Sequence, residues 1–139
     1  MSLRKILLVD DENFNIRALK VILKSFTGIN PEEVCDVARN GIHCLELIEK
    51  DIQLNEKRCC SYKIIFMDCN MPHMDGYEAT QKLRQMLYEN NIEQPIVSAC
   101  TGHTDQSYID RAIQSGMNQV LEKPVKSDLV KKLISTYFN

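Results

Sequence analysis

Five short strand-like segments recur along the chain, and a stretch of helical spacing follows each one. Two of them, Ile6-Leu7-Leu8-Val9 and Ile64-Ile65-Phe66-Met67, are unbroken apolar runs. Continuous rather than alternating apolar character suits strands covered on both faces. The other three segments are Val34 to Ala38, Ile96 to Cys100 and the short Gln119 to Glu122; the third strand is read as Lys63 to Met67. A (βα)5 alternation predicts a doubly wound α/β fold, a parallel sheet with helices on both faces. Right-handed crossovers favour the flavodoxin-like strand order 2-1-3-4-5.

The intervening helices follow from apolar spacing and punctuation. The first carries Ala18, Leu19, Ile22, Leu23 and Phe26, and Gly28 and Pro31 end it. Asn40-Gly41 opens a second with Ile42, Leu45, Ile48 and Ile52 inward. The segment Gln53 to Ser61 is polar and reads as an extended surface loop, the natural place for insertion or disorder. A third helix begins near Gly76 or Tyr77 and buries Ala79, Leu83, Met86 and Leu87. Thr104 is the expected N-cap of a fourth, with Ile109, Ala112 and Ile113 inward and Gly116 as its left-handed end. Ser127 is the expected cap of the last, with Leu129, Val130, Leu133, Ile134 and Tyr137 inward.

With 139 residues the chain forms one domain, 1–139, large enough for a sizeable core. A net charge of -2 and the lack of a basic run argue against a direct nucleic-acid interface. No apolar stretch reaches the roughly 20 residues of a membrane span, and the N-terminal segment is no signal peptide. Met1-Ser2-Leu3 is compatible with a cloning remnant. Six cysteines show neither CxxC pairs nor a Cys/His zinc pattern, so they read as reduced thiols of a cytoplasmic protein.

Chemistry-bearing residues stand where four of the strands end. Asp10-Asp11 follow the first, Asp68 the third, Thr101 the fourth and Lys123 the fifth. In the order 2-1-3-4-5 the first and third strands are neighbours where the order reverses, at the edge where ligands bind. Each residue alone has a dull explanation: a helix-dipole partner, a turn residue, a solvated charge. Together they do not. Clustered carboxylates repel unless they share a proton or hold a cation, and hard oxygen donors suit Mg²⁺. A lysine and a hydroxyl beside them match the needs of a transferring phosphoryl group.

These residues carry a resemblance. Leu7-Leu8-Val9-Asp10-Asp11, Met67-Asp68 with Met71-Pro72 and Met74-Asp75-Gly76, Thr101-Gly102 and Lys123-Pro124 resemble the motifs of response-regulator receiver domains, over nearly the whole chain. The segments Met67 to Thr80 and Gly116 to Val125 are most similar to receivers attached to hybrid histidine kinases. The resemblance implies that Asp68 accepts a phosphoryl group from a partner phosphohistidine, on a histidine kinase or a histidine phosphotransfer domain. It implies that Asp10, Asp11, Asp68 and the backbone carbonyl of Asn70 arrange Mg²⁺ (or Mn²⁺). Lys123 would pair with Asp68, Thr101 would turn toward the phosphoryl group, and the Lys123-Pro124 peptide would be cis. Asn70 and His103 fall where such domains tune acyl-phosphate lifetime. A monomer or weak dimer is expected.

One position departs from the pattern. Many receivers carry Tyr or Phe three residues before the lysine; here that switch position is Val120. A rival reading is an Asp-nucleophile phosphohydrolase resembling the haloacid dehalogenases. It needs a general acid two residues past Asp68, where Asn70 stands. A flavodoxin-like binding module needs a phosphate cradle after the first strand, where Asp10-Asp11-Glu12 would repel the ligand.

Overall fold

Apolar runs buried on both faces build a sheet here, and the strand order is the one the alternation predicts. A computed structural model describes residues 4–138. The reading of Met1-Ser2-Leu3 lies outside them. The strands are β1 (Lys5–Val9), β2 (Cys35–Ala38), β3 (Tyr62–Asp68), β4 (Ile96–Thr101) and β5 (Gln119–Glu122). All pairings are parallel, in the order β2-β1-β3-β4-β5. The helices are α1 (Asn13–Thr27), α2 (Pro31–Val34), α3 (Gly41–Leu54), α4 (Gly76–Glu89), α5 (Gln106–Gln114) and α6 (Ser127–Tyr137).

The sheet separates two cores. Alternate strand residues Ile6, Leu8, Ile64 and Phe66 pack against Ile16, Leu19 and Leu23 of α1 and Val130, Leu133 and Ile134 of α6. Their neighbours Leu7, Val9, Ile65 and Met67 pack against α3, α4 and Ala112 of α5. This is the period-two geometry of a strand applied to a sheet with no solvent face.

Side-chain caps fix where α3 and α4 begin. Asn40 accepts the His43 N–H at 2.8 Å, and Asp75 accepts the Glu78 N–H at 2.9 Å. Gly28 ends α1 at φ 74°, a left-handed conformation that glycine adopts without strain.

Several expectations need correction. There are six helices among the described residues, not five. Pro31-Glu32-Glu33-Val34 forms a single turn, with Asn30 accepting the Glu32 N–H, so Val34 closes a helix rather than opening β2. The segment from Gln53 is not an extended loop. α3 continues to Leu54, and the turn beyond it is tied down by buried Asp51, which accepts the Ser61 N–H at 2.7 Å. Phe26, Ile42, Ile113, Leu129 and Tyr137 are exposed, because the inward stripe of each helix is narrower than the apolar spacing suggested. Ala18 is exposed too. Asp105, not Thr104, occupies the cap of α5, and Lys126 that of α6, neither with a side-chain cap bond. Gly116, at φ 105°, follows the Ser115 cap. No disulfide joins the cysteines among the described residues. Burial pushes Cys44 and Cys60 up to about 12, so both stay protonated.

Candidate functional site

The site is built at the carboxyl edge of β1, β3, β4 and β5. Asp68 is the last residue of β3 and Thr101 the last of β4. The two lie on adjacent strands, with Asp68 in register with Cys100. Asp10 follows β1, and its N–H donates to the Ala38 carbonyl at 3.1 Å, which holds it against β2. Asp10, Asp68 and Thr101 are all buried, whereas Asp11 is exposed. Each of Asp10, Asp11 and Asp68 offers a carboxylate oxygen within 4.8 Å of the others. That donor set fits a hard divalent cation with oxygen preference.

Lys123 reaches into this cluster. Its Nζ lies 2.9 Å from Asp68 Oδ1 and 3.2 Å from Asp10 Oδ2. The lysine is delivered by β5, and its N–H donates to the Thr101 carbonyl at 2.8 Å. The Lys123-Pro124 peptide is cis. Burial would lower the lysine's pKa, but its hydrogen bond to Asp68 and the charges of Asp68 and Asp10 outweigh it and hold the pKa above the ordinary lysine value. Asp68 is pushed up to about 6, first by burial and then by the like charge of Asp10, against the lowering effect of Lys123.

Asp10 is held from the other side by contacts the sequence reading did not foresee. Its Oδ1 accepts the Glu12 N–H at 2.9 Å and the Asn15 side-chain amide at 3.4 Å. The cue was available, since Asn15 sits one helical turn past Asp11. The loop after β3 turns tightly around Gly76, whose N–H donates to the Cys69 carbonyl at 3.1 Å. A Cβ there would stand 2.2 Å from the Asp68 carbonyl oxygen, so only glycine allows α4 to start this close.

The remaining candidates lie around the rim. Asn70 is exposed, and its N–H donates to Asp68 Oδ1 at 3.4 Å. Thr101 Oγ1 accepts the His103 N–H at 3.1 Å, and the exposed His103 ring stacks on Tyr108 at 4.7 Å. Val120 is half-buried against the α3–α4–α5 core, with no aromatic ring at that position. Thus every residue expected at the site lies at one edge, with Val120 further down its strand.

The response regulator receiver domain model matches residues 6–135. The chain belongs to the response regulator receiver family. This receiver is 33% identical to hybrid signal transduction histidine kinase B of Dictyostelium discoideum, over 99% of the chain and 7% of that protein. It is 35% identical to histidine kinase CKI1 of Arabidopsis thaliana, over 86% of the chain and 11% of that protein. The chain therefore corresponds to a small part of the curated relatives it matches.

Among solved structures, the receiver domain of CKI1 complexed with Mg²⁺ superposes with TM-score 0.79 at 26% identity, covering 94% of this chain and 93% of that one. The receiver domain of the Saccharomyces cerevisiae response regulator Ssk1, co-crystallised with the histidine phosphotransfer protein Ypd1, gives TM-score 0.79 at 25% identity, covering 98% and 89%. The likeness to receivers of hybrid histidine kinases, read from Met67–Thr80 and Gly116–Val125, is borne out. No described helix is long and apolar enough to cross a membrane.

Proposed function

We propose that Asp68 is the phosphoacceptor of this receiver and that Lys123 and Thr101 complete its chemistry. The observation that carries this is the Lys123 ammonium lying between Asp68 and Asp10, with Asp11 at the same crevice. Among the described residues, the two hydrogen bonds to the Asp68 carboxylate fall on Oδ1, from Lys123 and the Asn70 N–H. Oδ2 is then the attacking oxygen. The P–N bond of a partner phosphohistidine breaks, the Oδ2–P bond forms, and the imidazole leaves with the bonding pair. Lys123 then shifts its donor to a phosphoryl oxygen, and the Thr101 hydroxyl turns to donate to another.

Asp10, Asp11 and Asp68, with the Asn70 carbonyl, are the residues that would hold Mg²⁺ or Mn²⁺. When bound, the ion neutralises charge on the phosphoryl oxygens. Asp10 already uses Oδ1 for Glu12 and Asn15 and Oδ2 for Lys123, so Asp11 is the more direct ligand. The domain acts as an acceptor and relay in the cytoplasm rather than as a turnover enzyme. The chain is expected to be monomeric or weakly dimeric.

The test is intact-mass analysis after treatment with a small acyl-phosphate donor and Mg²⁺. The wild-type chain should gain one phosphoryl group and Asp68→Asn none. Full phosphoryl gain in that variant would refute the assignment.

The partner's histidine must reach Asp68, so docking belongs on α1 and the loops around the crevice. α1 presents Phe14, 79% exposed, and Val21, 61% exposed. Phe14, Ala18, Ile22, Pro124 and Val125 line a groove that leads to Asp10 and Lys123. A helical phosphotransfer domain or the dimerisation helices of a histidine kinase fit such a surface. Titration with a phosphotransfer domain should shift backbone NMR signals in α1 and at 124–125. Shifts confined to α5 and α6 would contradict this.

A further inference from the structure

Two loops flank Asp68. Residues 69–75 join β3 to α4, and residues 102–105 join β4 to α5. With valine at 120, no aromatic side chain on β5 can report movement of Thr101. A different set of contacts runs between the two loops. The Arg111 guanidinium of α5 lies 4.0 Å from the centre of the Tyr77 ring, in the first turn of α4. It also lies 3.6 Å from Asp75 Oδ2. Asp75 uses its other oxygen to cap α4 through the Glu78 N–H. One side chain of α5 therefore grips the corner on which α4 starts.

The same helix face leads back to Thr101. Tyr108 stands one turn before Arg111 on α5, and residues three apart are neighbours on a helix. Its ring stacks on His103 with planes 19° apart. The His103 N–H donates to Thr101 Oγ1. The series runs from Thr101 through His103 to Tyr108, along one turn of α5 to Arg111, and on to Tyr77 and Asp75, with the helix itself as the link between Tyr108 and Arg111. Each contact is weak. The Arg111 side chain is 58% exposed and its ion pair is screened, and a cation over a ring at an exposed site holds modestly. Weak contacts of this kind can be broken by a local change at Thr101.

We propose that Arg111 is a positioning residue that couples the Thr101 loop to the α4 corner, in place of the missing aromatic switch. The proposal rests on the reading of Asp68 as acceptor and Thr101 as its sensor. When the Thr101 hydroxyl turns to a phosphoryl oxygen, its oxygen leaves the His103 N–H. The His103–Tyr108 stack then shifts, and Arg111 releases Asp75 and Tyr77. By linkage, the state of the α4 corner feeds back on Asp68.

Residue-resolved hydrogen exchange by NMR tests this, on wild type and on Arg111→Met and Arg111→Lys, each with Mg²⁺ alone and with beryllofluoride added. In the wild type the Glu78 amide should exchange about fivefold faster once beryllofluoride binds, as expected for loss of one or two weak contacts. In Arg111→Met it should be fast in both states. Arg111→Lys keeps the charge but not the flat face, and should behave like Met. An unchanged Glu78 amide in the wild type, or an undiminished response in either variant, overturns the proposal. Intact-mass phosphorylation of the same samples separates the two readings. No phosphoryl gain in the wild type defeats the acceptor reading and this one with it; phosphoryl gain with a silent Glu78 defeats only the coupling.

Discussion

The Tyr77 side chain combines a buried ring with a hydroxyl that makes no conventional hydrogen bond and has the weakly bonding Cys69 thiol as its neighbour. Burial drives its pKa upward, so it is a neutral phenol whose polar end gains little from the fold. Tyr77→Phe should therefore leave stability within about 1 kcal/mol of wild type, on the stabilising side, by urea denaturation. Asp68 shows the opposite tension, a buried carboxyl held at the expense of the fold. Its folded pKa of about 6 lies above its ordinary 3.8. A raised carboxyl pKa gives stability that is full below pH 4 and is lost as pH rises through 6. In metal-free buffer at pH 7, Asp68→Asn should be more stable than wild type by about 1–3 kcal/mol, and the gap should close at pH 4. Equal urea midpoints at both pH values would contradict this. The five charged and hydroxyl residues of the site were legible because each stands where a strand ends, and a strand end can be read from its apolar run. Asn15, Tyr77 and Arg111 were not singled out, because their roles arise from helix faces meeting across space.

At the scale of elements, α4 is anchored at its far end by Arg84. Its guanidinium donates to the Gly116 carbonyl at 2.9 Å, the Pro95 carbonyl at 2.7 Å, Gln94 at 3.0 Å and Asn118 at 2.8 Å. Asn118 in turn accepts the Val97 N–H. One arginine thus fastens α4 to the turns that start β4 and β5. Arg84→Met should keep the apolar stem but lose about 2–3 kcal/mol, read as a lower urea midpoint with an unchanged slope. Five strands and five of the six helices followed from periodicity and punctuation. The single turn α2 escaped because four residues carry no period. The end of α3 was misjudged because Asp51 looks solvent-facing in sequence. It is buried, and it satisfies the Ser61 N–H while Asn55 bonds both Asp51 and the Ser61 hydroxyl. Polarity marks a loop only when the polar groups face water.

Across the whole molecule, the sheet that divides the core also divides the site. Asp68 continues the parity of Ile64 and Phe66, toward the α1 and α6 side. Thr101 continues the parity of Val97 and Ala99, toward α4 and α5. On the proposed assignment, the carboxylate that takes the group and the hydroxyl that registers it lean to opposite sides of one layer about a strand thick. A donor seated on α1 leaves the α5 surface uncovered. On that same proposed docking, loading and readout are not rivals for the same ground, and α5 stays open to a second protein while the first is on α1. In such a molecule the dwell time of the donor and the onset of the response are separately adjustable quantities.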